Sequence, residues 1–174
     1  MLWFLRDYPL AAVLLRAATL AFDLLLMGGI FFLVVLLPHR LVAVADEFLG
    51  RARNLLRIAA AGLIVTQICF VALDSVMLRA AGGLGWADLY TANYFLAGLL
   101  LVAVSIAILF FSRRRLPHAP ISVSLLIPLL FGIVWTSHSA SRLEHRVPLM
   151  ILTALHQFAT AVWIGGMPFL WLLL

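Results

Sequence analysis

The chain has 174 residues, 66% of them hydrophobic and only 11% charged. A soluble domain keeps roughly a quarter of its residues charged to wet its surface, and runs such as 24–37 and 95–111 offer no polar face, so a soluble helical protein is excluded. The net charge of +5 rests on arginine alone and sits at the ends of apolar runs, which reads as topology signals and contacts to lipid headgroups, not as a nucleic-acid surface.

A helix needs about 20 mostly apolar residues to span a bilayer. Five runs qualify, near 11–37, 58–79, 93–111, 121–139 and 148–172. They are too long for membrane β-strands and lack strand alternation. The expected fold is therefore all-α: a polytopic transmembrane helical bundle of about five membrane-spanning helices, one membrane domain over 1–174. The N-terminal Met1 to Asp7 is weakly charged and leads into an apolar run too long for a signal-peptide core, so no cleaved signal is read. Pro38-His39-Arg40 closes the first run, and Asp46, Glu47, Arg51, Arg53 and Arg57 make the next stretch a polar, partly amphipathic loop. Gly82-Gly83-Leu84-Gly85 breaks the chain after the second run, and Arg113-Arg114-Arg115 with Pro117 and Pro120 separates the third from the fourth. Ser137 to Arg146 is the last polar stretch, and Pro148 suits the first turn of the fifth helix.

Arginine counting sets the expected orientation. Arg40, Arg51, Arg53, Arg57 and the triplet at 113–115 outweigh Arg6, Arg79, Arg142 and Arg146, which places the former in the cytoplasm and the N-terminus and the His138–His145 stretch outside. Cys69 has no cysteine to pair with inside the chain. The closing Leu170-Trp171-Leu172-Leu173-Leu174 has no flanking charge and reads as an interrupted protein that lacks further helices.

Polar groups inside apolar runs are the candidates for function. Asp23 and Asp74 fall in the outer halves of the first two helices, where an ionised carboxylate facing lipid costs several kcal/mol. Arg16 precedes Asp23 by seven residues, and Gln67 precedes Asp74 by seven, which puts each pair on a similar helix face. Two readings follow: interhelical bonds that fix packing, or a cation path lined by Asp23 and Asp74. The histidines point to metal. His138 and His145 share a face if the fourth helix runs on past the membrane surface, and His156 lies about two turns into the fifth. Converging imidazoles suit copper or zinc, and thioethers favour Cu(I), so Met150 and Met167 are added as stations on a path. Each has an ordinary alternative: a hydrogen-bonded packing histidine at 156, headgroup contacts at His39 and His118, gap-filling methionines at 27, 77 and 150. Gly165-Gly166 permits close helix contact, and Pro168 a bend.

Ser137-His138-Ser139-Ala140, followed by Leu155-His156-Gln157-Phe158-Ala159-Thr160-Ala161-Val162-Trp163-Ile164-Gly165-Gly166, resembles the copper resistance protein D family of bacterial inner-membrane proteins. The resemblance is confined to the region 120–174 and is most specific at Trp163-Ile164-Gly165-Gly166; residues 1–130 fit through hydropathy and layout. It implies a multi-pass protein that transports or handles copper beside a periplasmic copper-binding protein, with His138 and His156 as copper contacts. His145 is added on spacing alone. The competing expectations are a b-type haem-binding electron-transfer module, with haem held by paired histidines, and a structural or sensory membrane subunit. No nucleophile motif, paired metal-binding cysteines or phosphate loop is present, so an enzyme is not expected.

Overall fold

The computed structural model describes residues 2–37, 46–112, 119–137 and 144–174, and within them the chain is all-α. Helix α1 (Leu2–Phe31) runs on through a π-helical turn at Phe32–Leu36, and α2 spans Asp46–Gly82. A short α3 (Trp86–Thr91) leads into α4 (Asn93–Phe111), and α5 covers Ala119–Trp135. The last span is α6 (Arg146–Thr160), a π-helical turn at Ala161–Gly165, then α7 (Met167–Leu173). Among the described residues, four stretches are long and apolar enough to cross a bilayer: Tyr8–Leu36, Asp46–Gly82, Asn93–Phe111 and Arg146–Leu173. The apolar α5 is shorter, at 17 residues. The protein is a multi-pass membrane helical bundle.

Two expected boundaries move for physical reasons. The arginine-rich stretch before residue 58, expected as a loop, is the first three turns of α2. Asp46 and Glu47 stand at its N-terminus, where negative charge meets the positive end of the helix dipole. Phe48, Ala52 and Leu56, four residues apart, form a buried stripe, while Glu47 and Arg51 pair at one-turn spacing on the exposed side. At the other end α2 stops at Gly82, and Gly83 takes a left-handed φ of 62° that a residue with a Cβ adopts poorly.

Helix α1 is the hub, in contact with α2, α5 and the last span, while α2 also packs on α4 and α4 on α5. The core stripe of α1 and its π-helical continuation is Leu26, Met27, Ile30 and Leu33, joined by Leu56, Ala60 and Leu63 of α2, Leu101 and Val104 of α4, and Leu129 and Ile133 of α5. The last span touches this core through few residues. Ala161, Gly165 and Phe169 are buried, whereas Leu152, Leu155, Trp163, Ile164 and Trp171 are exposed. Its contact with α1 is backbone to backbone: a Cβ at Gly165 would overlap the Leu24 carbonyl, and one at Gly28 would overlap the Ala161 carbonyl and the Gly165 backbone. Small residues four apart, Ala161 and Gly165, produce this approach, the usual means of helix association in lipid. Pro168, where a bend was expected, stands in the first turn of α7, just after the π-helical turn at Ala161–Gly165.

Candidate functional site

The antiparallel arrangement brings the N-terminal half of α1, the C-terminal end of α2, the start of α4 and the end of α5 to one end of the bundle. A cavity of about 670 Å³ opens there, lined by Arg16, Asp74, Tyr94, Thr136, Ser137 and Gln157 among apolar residues. This is the end that the arginine count leads one to expect outside.

Polar contacts between helices build its wall. The Tyr8 hydroxyl donates to Asp74 Oδ1 at 2.8 Å. Arg16 Nη2 donates to the Thr136 hydroxyl at 3.1 Å and to the Thr136 carbonyl at 3.3 Å, and its guanidinium stands 5.7 Å from the centre of the Phe70 ring. That carbonyl lies at the C-terminal end of α5, where helix carbonyls lack intrahelical donors and the dipole attracts a cation. Ser75 Oγ and the Tyr94 hydroxyl share a hydrogen bond of 3.0 Å beside them. Of the four polar groups expected to tie helices together, Asp74 and Arg16 do so, while the side chains of Asp23 and Gln67 make no hydrogen bond among the described residues. The arrangement leaves a carboxylate, a guanidinium, hydroxyls and an amide around one recess.

Asp23 lies deeper. Arg16 and Leu20 line the cavity and Asp23 follows three residues later on the same face, so it sits one turn below Leu20. It is 0% exposed, and neither carboxyl oxygen has a hydrogen-bond partner among the described residues. Arg16 is within electrostatic reach of both Asp23 and Asp74. Gln67, expected to share a face with Asp74, does not share its cavity. It is 1% exposed, and its amide lies beside Gly98 of α4 at the edge of a separate, mainly apolar pocket.

Comparison with protein-family models, curated proteins and solved structures gives no match.

The histidines are not gathered at this cavity. His138 lies outside the described residues, as do His39 and His118. Helix α5 stops at Trp135, and Ser137, the residue before His138, lines the cavity. His145 is exposed at the N-cap of α6, with a left-handed φ of 53° and no side-chain cap. His156 is exposed on α6, although its neighbour Gln157 lines the cavity. Eleven residues of helix separate His145 from His156, roughly 16 Å along the axis. Met167 is 50% exposed, on the outward side with His156, and Met150 is half-buried near the start of α6. Among the described residues, no three His, Cys, Asp or Glu side chains form a group able to hold a metal ion.

Tyr8, Phe70, Tyr94, Thr136 and Gln157 were not singled out by the sequence. Tyr8 and Asp74 are 66 residues apart, and Arg16 and Thr136 are 120 apart, so no spacing rule links them. The one signal was that Tyr8 and Thr136 are polar residues at the ends of apolar runs.

Proposed function

We propose that the chain is a module for copper transport or copper handling in the bacterial inner membrane, of the copper resistance protein D type, serving copper homeostasis without bond-making chemistry. The observation that carries this reading is the cavity at the arginine-poor end, which sets several polar side chains in a mainly apolar wall. Its wall includes Ser137 and Gln157, the chain neighbours of His138 and His156, together with the Asp74 carboxylate. Imidazole and thioether suit copper, whereas carboxylate and hydroxyl oxygens suit harder cations, so in this reading the histidines and methionines carry the copper and the oxygens of the recess hold water and charge balance. Transport requires several exchangeable contacts, since one tight cage traps the ion. In this reading His138 and His156 are the copper contacts, His145 is an accessory at the surface, and Asp74 is the anionic group in the cavity. Met150 and Met167 follow on the last span, and a periplasmic copper-binding protein delivers or receives the ion.

No observation favours haem. A porphyrin takes axial ligands from opposed faces on different elements, and the two described histidines, His145 and His156, stand on one helix end and its continuation.

The test is copper uptake into membrane vesicles containing the protein, compared with His156→Ala and His138→Ala. Uptake is expected to fall sharply in both while insertion into the membrane stays normal. Undiminished uptake in both variants defeats the assignment of these residues, and no uptake by the parent protein defeats the function.

A further inference from the structure

Asp23 is the one fully enclosed carboxyl among the described residues, and its enclosure is unusual. It lies inside the span Tyr8–Leu36, both its oxygens are buried, and neither accepts a hydrogen bond. Transferring an ionised carboxylate from water to such a place without a partner costs far more than the few kcal/mol that a neutral, unbonded polar group costs. Among the described residues, no cation on a neighbouring element is bonded to Asp23, and Arg16 reaches it only through space. Arg16, on its own helix, reaches upward to Thr136 at the far side of Leu20. On α2, Asp74 is engaged with Tyr8 near that same end, and the stretch opposite, where Gly62 meets Phe22, carries no charged residue from Ile58 to Cys69. Residues 119–137 of α5 contain no titratable side chain, nor do residues 157–174 of the last span, and His156 is exposed on the outside. The enclosed carboxyl therefore has a proton as its simplest counter-charge.

Its position gives that proton a route. Leu20, three residues before Asp23 on α1, lines the cavity, so the carboxyl lies one turn from the recess. Immediately below, Leu24 and Gly28 meet the last span backbone to backbone, so the helix beneath Asp23 is held against it. We propose that Asp23 is a proton-binding station of this protein, one turn beneath the cavity, whose carboxyl O–H releases its proton to cavity water as a cation enters from the open end and regains it when the cation leaves. This rests on the transport reading for its purpose: the proton moves opposite to, or is displaced by, the transported charge.

The experiment reads the carboxyl directly. Infrared absorption of the protein in liposomes, without copper, should show a protonated-carboxyl C=O stretch that shifts in deuterium oxide. The band should be lost in Asp23→Asn and return, displaced, in Asp23→Glu. Adding Cu(I) prepared beforehand as its acetonitrile complex should diminish the band in the parent and release protons, beyond those from protein-free liposomes, detectable with an external pH dye, and both responses should vanish in Asp23→Asn. A band that survives Asp23→Asn, that is missing from the parent, or that resists deuterium overturns the station. If Asp23→Asn fails to insert, the shift between the parent and Asp23→Glu decides the assignment. The copper-free band and its exchange are independent of uptake. Parent vesicles that hold the band but accumulate no copper, and whose band ignores it, refute the transport reading and with it the displacement step.

Discussion

Replacing Gly165 with alanine tests whether the last span is held by backbone approach. The added Cβ would overlap the Leu24 carbonyl oxygen and crowd the Leu25 nitrogen at 3.2 Å. These are main-chain atoms inside a helix, so no rotamer change relieves the overlap and α1 and the last span must separate. Overpacking of a well-packed contact costs about 1–3 kcal/mol, and a main-chain obstacle puts this case at the upper end. Alanine in place of glycine returns about 1 kcal/mol of helix propensity. The net loss is then about 2 kcal/mol, or roughly 30-fold in the equilibrium between docked and undocked spans. Gly50→Ala is the control: Gly50 lies within α2 with nothing inside 4 Å of the place its new methyl group would take, so only the propensity gain applies. Titrating both variants with denaturing detergent in mixed micelles gives the comparison. Gly165→Ala should unfold earlier than the parent and Gly50→Ala later. Equal stability of Gly165→Ala and Gly50→Ala would refute the close-contact account of the Trp163-Ile164-Gly165-Gly166 segment.

Tyr8→Phe removes the hydroxyl that donates to Asp74 and should cost about 1 kcal/mol in the same titration; no loss means that the carboxylate finds an equal partner elsewhere. His156→Ala should change stability by less than about 0.5 kcal/mol because the ring is exposed and fills no core space. A large loss would show that His156 acts through packing, which separates that role from a copper role in uptake. Leu20→Ala removes the cavity-lining side chain one turn from Asp23, and deuterium exchange of the Asp23 carboxyl should become faster; unchanged exchange would place the proton's route elsewhere.

The spans were legible because bilayer thickness imposes a length and an apolar composition that a single sequence displays. Their ends at Gly82 and Phe111 follow from local signals, the glycine break and the arginine triplet. The start of α2 was not legible in the same way. Five charged residues looked like a loop, and only the burial of Phe48, Ala52 and Leu56 against the bundle makes that stretch a helix. For the site, the sequence marked Asp23, Asp74 and Arg16 because charge inside an apolar run is costly wherever it points. It did not tell that Asp74 answers Tyr8, that Arg16 answers Thr136, or that Asp23 answers no described residue.

What the sequence determined by itself is the medium and the placing of the long apolar helices along the chain, since hydropathy and helix rise are additive from residue to residue. Which polar groups meet depends on how each helix is rotated about its axis, and that rotation is decided between helices. It is fixed here by contacts such as Gly165 on Leu24 and Phe22 on Gly62. One residue's turn of a helix, about 100°, separates Gln157 in the cavity wall from His156 on the outer face, and only the tertiary structure distinguishes them.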